Sequence, residues 1–331
     1  MLVRVSGCTL CGSDLHTLQG RRTTPTPTIL GHETIGEVVA LNSDFEYHDL
    51  NGAQIHLGDR ITWAIAASCG ACFYCHAGLP QKCDHLFKYG HESLNRSPQL
   101  SGGLAEYCHL AKGSHVLRLT QALPDEVACP ANCATATVAA AFRTAGVCEG
   151  QDILVQGAGL LGLTACAMAK SAGARTIVIS EPDQKRLNQA KSFGASHCRN
   201  PNDVTAEHEL RNLGNEGRGF DVILEMSGAT AAMQQGLQLL RIGGRYVWVG
   251  AVFPNSSLAL DPEHTIKRLL TISGVHNYTP ADLGEALAFL EANHSRYPFK
   301  SLVRNWFALE DFQKAVDLAV QERPIRVGIR P

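Results

Sequence analysis

The sequence has no excess of basic residues. Its 331 residues carry 29 Lys and Arg against 31 Asp and Glu, a formal charge of -2. Polyanions are held by a surplus of Lys and Arg, so this balance argues against nucleic acid and anionic membrane surfaces as partners. No block of like charge is long enough to form a tail. No apolar run approaches the roughly 18 residues that a membrane span needs. Met1 to Leu10 alternates like a strand and lacks the apolar centre of a secretory signal. Internal repeats and low-complexity stretches are also missing, which excludes solenoids and disordered linkers.

What is present is apolar bulk and cysteine. With 45% apolar residues, the chain is long enough for two domains and a large core. Twelve cysteines would suggest disulfides in a secreted protein. Here Cys69, Cys72, Cys75 and Cys83 fall within fifteen residues at the spacing C-x2-C-x2-C-x7-C. Four thiolates in one loop suit a closed tetrahedral zinc, which has no open position and only shapes the backbone. Four free thiols or an iron–sulfur cluster are the alternatives, but no second cysteine cluster accompanies them. Metal spacing favours a reducing cytosol.

The first third reads as short strands, Met1–Ser6, Ile35–Leu41 and Ile61–Ile65, separated by Pro25, Pro27 and a Gly58-Asp59-Arg60 turn. That pattern predicts a small barrel. From residue 153 the pattern changes. Ile153–Gln156 is a buried-strand run, followed by Gly157-Ala158-Gly159-Leu160-Leu161-Gly162 and a helical stretch to Ala172. G-x-G-x-x-G between a strand and a helix lets a dinucleotide's pyrophosphate sit on the helix N-terminus.

The next strand, Thr176–Ser180, ends at Glu181, nineteen residues beyond Gly162. A carboxylate there accepts from ribose hydroxyls and repels a 2′-phosphate, so NAD is expected over NADP. Arg186 is placed either to touch the same ribose, which leaves NADP tolerated, or to pair with Glu181. Further strands at Phe220–Glu225, Arg245–Gly250 and Leu269–Gly274 alternate with helices Gln184–Phe193 and Ala231–Leu240. Alternation of this kind predicts a parallel doubly wound sheet. Val249 and Ser273 end strands where the nicotinamide would lie.

Several motifs occur in one order: Cys11-Gly12-Ser13-Asp14-Leu15-His16, Gly31-His32-Glu33, Gly58-Asp59-Arg60, the four-Cys loop and the glycine-rich turn. On them the chain resembles the zinc-dependent alcohol dehydrogenases of the medium-chain dehydrogenase/reductase family, from Cys11 to the C-terminus. The resemblance implies a GroES-like β-barrel catalytic domain over 1–134 and 276–331, and a Rossmann domain over 135–275. Helices Pro280–Glu291 and Phe307–Val320 and a strand Ile325–Ile329 resemble the return of the family's chain to its barrel domain. The family carries about thirty residues of barrel strands before its first motif, where this sequence has ten. A barrel trimmed at one edge is one expectation from that.

The resemblance also implies residue roles. Cys11, His32 and Cys133 become ligands of a catalytic zinc, with Glu33 able to enter or leave the coordination. Ser13 passes the substrate's proton, His16 is the outer end of that relay, and Asp14 fixes the His32 tautomer. The zinc total would be two per chain, one catalytic and one structural. A small-molecule alcohol is the expected substrate and NAD the cofactor, in a cytoplasmic homodimer or homotetramer.

Arg21 and Arg22 stand where the family lines its substrate cleft, often with apolar groups. Arg grips carboxylate, phosphate or phosphonate, although two solvated surface arginines are an equally good reading. Lys88, His91 and Asn132 can add to such an anion site. The stretches Leu79–Cys83 and Leu86–Glu92 look like a subgroup of dehydrogenases associated with phosphonate catabolism. Competing readings are a polyol dehydrogenase of the same family and a non-catalytic zinc and nucleotide-binding protein. A zinc module for nucleic acid and a zinc-free quinone or enoyl reductase complete the alternatives.

Overall fold

The computed structural model describes residues 1–146, 148–203, 206–252 and 257–331, with side chains at 206 and 207 left aside. The chain forms two compact units, Met1–Ala136 with Asn277–Pro331, and Thr137–His276.

In the first unit, a sheet of seven strands is built around Leu2–Thr9. That strand pairs antiparallel with Glu33–Ala40, Tyr107–His109 and Arg326–Arg330. Its alternation puts Val3 and Val5 in the core, beside Val38, Ile61 and Trp63. Trp63, Tyr89 and Phe87 meet edge to face, the arrangement favoured by ring quadrupoles. Register, more than packing, decides which side chains meet at the end of this sheet. Thr9 lies opposite Glu33 on one side and Gly328 on the other, and the Leu10 N–H donates to the Val327 carbonyl. One end of the sheet therefore gathers Cys11, His32-Glu33 and Arg326 from segments far apart in sequence.

The second unit holds six parallel strands in the spatial order His197–Arg199, Thr176–Ser180, Asp152–Gln156, Phe220–Glu225, Leu240–Trp248, Thr271–Gly274. Counted along the chain this is 3-2-1-4-5-6, the doubly wound order whose direction reverses between the first and fourth strands. Nearly every residue of the central strands is buried, as a sheet covered on both faces requires.

Several elements differ from the sequence expectation, among them the strand expected at Arg245–Gly250, which runs Leu240–Trp248. Phe307, expected to open the last helix, belongs to a strand, Val303–Ala308, and that helix runs Phe312–Gln321. The parallel pairing with Arg326–Arg330 captures Phe307, a long-range contact that helical periodicity cannot reveal. The strand His197–Arg199 has no signal in the sequence, because three half-buried residues carry almost no alternation. Among the described residues no helix is long and apolar enough to cross a membrane.

Candidate active site and nucleotide turn

Cys11 caps the short helix Gly12–Leu18, and Asp14 in its first turn accepts from the Cys11 N–H at 2.9 Å and the Gly31 N–H at 3.3 Å. One buried carboxylate thus ties the segment of Cys11 to the segment of His32. Asp14 Oδ1 is also 3.5 Å from His32 Nδ1, an ion-pair distance but beyond a good hydrogen bond. His32 Nε2 faces the Ser13 hydroxyl at 3.4 Å. His16 follows Ser13 by three positions, so the two share a face of the helix.

Cys133 is brought in by Asn132. The Asn132 amide donates to the His32 carbonyl at 2.9 Å and the Trp63 carbonyl at 2.7 Å, and its oxygen accepts from the Thr34 N–H at 3.3 Å. The Asn132 carbonyl accepts from the Tyr278 hydroxyl. Asn132 is fully buried and its amide is spent on the backbone, so the expectation that it lines the substrate pocket is corrected. Its work is to register three segments around the site.

Ligand atoms of Cys11, His32, Glu33 and Cys133 all lie within 4.8 Å of one another. Glu33 is fully buried and its carboxylate receives Arg326 through two bonds, Nε to Oε2 and Nη2 to Oε1, both 2.8 Å. The Thr9 hydroxyl donates to Oε2 at 2.6 Å. Arg326 is a site residue that the motifs do not single out. The available signal is an arginine inside the otherwise apolar Ile325–Ile329 run.

Charge explains what the group is for. The Cys133 thiol donates to Cys11, burial opposes, and Arg326 and His32 help hold the Cys11 thiol well below its ordinary value. Burial disfavours the His32 imidazolium, but Asp14 and then Cys11 outweigh it and push the pKa up to about 10. Two sulfurs and two carboxylates are thus collected around one buried guanidinium, and the imidazole beside them is drawn toward its cation. That donor set is short of positive charge, and it fits a borderline-soft divalent cation such as zinc.

The second metal-ligand group is separate. Cys69, Cys72, Cys75 and Cys83 hold their sulfurs within 4.8 Å of one another. Cys72 and Cys83 Sγ are 3.8 Å apart, close to the edge of about 3.8 Å that zinc–sulfur bonds of about 2.3 Å give a tetrahedron. All four are free thiols, and 3.8 Å is far from a disulfide. The Cys69 and His85 N–H groups point at Cys83 Sγ, and the Ala71 N–H at Cys69 Sγ.

Arg21 and Arg22 do not act as a pair. Arg21 is exposed, whereas Arg22 is half-buried and its Nη1 lies 2.6 Å from His91 Nε2. His91 Nδ1 is 2.8 Å from the Tyr89 carbonyl, and the His91 ring sits 5.1 Å from the His32 ring.

In the second unit the glycine turn leaves the strand Asp152–Gln156 at the reversal point of the sheet. Gly157 has φ +97°, and a side chain there would press on Ser227. A Cβ on Gly162 would come within 1.8 Å of the Gly157 carbonyl, so only glycine lets the helix close on the turn. Gly159 faces open space, with nothing within 4 Å of a Cβ. These are the three roles a pyrophosphate turn assigns to its glycines, and the turn fits a dinucleotide. Leu160 and Leu161 begin the helix Leu160–Ser171.

Glu181 is buried, its Oε2 accepting from the Ala158 N–H at 2.7 Å and its Oε1 from the Asp183 N–H at 2.9 Å. Each oxygen keeps a further lone pair. Arg186 is half-buried in the helix Gln184–Gln189, where Asp183 caps its N–H. Val249 is buried just past its strand, and Ser273 lies half-buried in the edge strand. Glu225, to which no sequence motif points, is fully buried and accepts from Ser227 N–H and Oγ and Gly228 N–H at 2.6–2.7 Å. It anchors the loop that Gly157 packs against.

A zinc-type ligand set in a β-sheet unit and a dinucleotide turn on a 3-2-1-4-5-6 sheet define a two-domain oxidoreductase. Residues 1–121 match the alcohol dehydrogenase GroES-like domain and residues 161–292 the zinc-binding dehydrogenase domain. The chain belongs to the zinc-type medium-chain alcohol dehydrogenase family. It is 30% identical to the sorbitol dehydrogenase of Halalkalibacterium halodurans, across 99% of this chain and 91% of that one. It is 30% identical to an L-threonine 3-dehydrogenase of Vibrio cholerae, across 96% and 88%. Among solved structures, an alcohol dehydrogenase from Thermotoga maritima superposes with a TM-score of 0.92 at 29% identity, across 100% and 91%. The chain is an oxidoreductase acting on CH–OH groups.

Proposed function

We propose that the protein is a zinc-dependent, NAD-linked dehydrogenase of a small-molecule alcohol, with one catalytic and one structural zinc per chain. The observation that carries this reading is the convergence of Cys11, His32, Glu33 and Cys133 within 4.8 Å. In it, Cys11, His32 and Cys133 hold the catalytic zinc and the four-Cys loop holds the structural one. When bound, zinc supplies Lewis acidity that lowers the pKa of an alcohol hydroxyl toward neutrality, and NAD supplies the hydride acceptor.

The chain's own residues do the remaining work. Ser13 takes the hydroxyl proton, and His16 on the same helical face is its outlet. Asp14 and Asn132 fix the ligand segments. Arg326 pairs with Glu33 at the edge of the coordination and opposes the burial that raises its pKa, leaving it available as a further ligand. The Gly157–Gly162 turn and Glu181 seat the nucleotide. Glu181 favours NAD over NADP because a 2′-phosphate would meet its charge.

An anionic group on the substrate belongs to this reading, because Arg22 and Lys88 stand near the thiol ligands. A plain polyol, as the sorbitol dehydrogenase relative suggests, would leave both cations unpaired. Twelve free cysteines support a reducing cytosol as the setting. The test is NADH formation from a panel of plain alcohols, polyols and phosphate- or phosphonate-bearing alcohols. Turnover with at least one class is expected; a flat response across the panel under both NAD and NADP would refute the dehydrogenase reading.

A further inference from the structure

Arg22, Lys88 and His91 come from two segments and meet beside the metal-ligand group. His91 Nδ1 faces the Tyr89 carbonyl at 2.8 Å, so that nitrogen carries the hydrogen and donates. Nε2 is then a lone-pair acceptor, and the Arg22 guanidinium donates to it at 2.6 Å. Burial and the charge of Arg22 hold the Lys88 ammonium down to about 8.

These two cations feel one another, yet neither forms an ion pair with a carboxylate among the described residues. The nearby acids are already engaged. Glu33 is paired with Arg326, and Asp14 faces His32 and two backbone N–H groups. The thiols of Cys11 and Cys133 are the remaining anionic neighbours of Lys88. A divalent cation held by them takes up that charge. Two half-buried cations left without a counterion are costly unless an anion visits them.

We infer that Arg22 and Lys88 form a clamp for a dianionic oxyanion on the substrate, phosphate ester or phosphonate, with His91 as the residue that aims Arg22. Arg22 spends one Nη on His91 and keeps the rest of its planar fork for two oxygens of the ligand. Lys88 supplies the second positive charge as a point donor. Two charges match a dianion better than a carboxylate. This rests on the dehydrogenase reading for what happens at the other end of the molecule, but the clamp itself binds without turnover.

The experiment is calorimetric titration of inorganic phosphate, methylphosphonate and acetate into the zinc-loaded full chain, with NADH present to fill the nucleotide turn. Wild-type protein is expected to bind phosphate and methylphosphonate, and acetate at least about tenfold more weakly. Arg22→Gln and Lys88→Gln should each weaken phosphate about tenfold or more. His91→Phe, which keeps a ring but loses the acceptor, should weaken it in the same direction with zinc content unchanged. Arg22→Lys should fall between wild type and Arg22→Gln, since it keeps charge and loses the fork.

Phosphate binding equally well to wild type and to Arg22→Gln would overturn the clamp, as would no binding to wild type. Acetate binding as tightly as phosphate would overturn the dianion assignment. Failure of the dehydrogenase reading looks different: no alcohol reduces NAD, while phosphate binding still depends on Arg22.

Discussion

Arg326 is the residue that makes the buried Glu33 tolerable. A carboxylate with no exposed surface survives there because a guanidinium meets it with two bonds of 2.8 Å. Removing one partner of such a pair strands the other charge. Arg326→Met is therefore expected to cost about 3–5 kcal/mol of stability, read by urea unfolding of the full chain. The double change Arg326→Met with Glu33→Gln should recover a large part of the loss, and its failure to do so would show that the packing of Arg326, not its charge, matters. At the nucleotide turn, Glu181→Ala is expected to weaken NAD and raise relative NADP use. An unchanged preference would mean that another group reads the ribose.

At the scale of elements, the second unit is stapled by acids at the start of its strands. Asp152 takes Arg175 through two bonds of 2.8 Å and the Asn215 N–H at 2.6 Å, while Asp221 takes Arg241 at 2.6 Å and the Asp152 N–H at 2.8 Å. Burial opposes, but for Asp152 the Arg175 bonds win, and for Asp221 the Asn215, Asp152 and Arg241 bonds win. Both carboxyls sit below the ordinary value of 3.8.

A depressed native pKa means that the unfolded chain takes up protons first on acidification. The stabilisation is whole above about pH 4 and is lost as pH falls through the depressed values. Asp152→Asn should cost about 1–3 kcal/mol at pH 7. Its difference from wild type should shrink as the denaturation series moves below about pH 4. A gap that persists in acid would assign the cost to shape.

Elements differ in how far the sequence announces them. The strand–glycine–helix passage at 152–171 is legible because every residue serves one local turn. Val303–Ala308 is not, since its pairing partner lies twenty or more residues on and nothing local marks it.

Over the whole molecule, legibility follows the range of the contacts. The four-Cys loop and the glycine turn are short-range devices and can be read from spacing. Cys11, His32 and Cys133 become a group only by resemblance, and it is the sheet register, Thr9 opposite Glu33 and Gly328, that brings two of their segments to one end of the barrel unit. Asn132 and Arg326 act through contacts about 100 and 293 residues away, which spacing does not encode. In the sequence, accordingly, Asn132 resembles a pocket residue and Arg326 has no visible role.

In the proposed reading two metal-ligand groups divide the work, one shaping a loop and one holding the reactive position. The most direct measurement is zinc per chain by mass spectrometry for wild type and for Cys11→Ser, on folded protein purified without added metal. About two zinc in wild type and about one in Cys11→Ser is the expected result. One zinc in both would contradict it, because the group around Cys11 would then hold no metal.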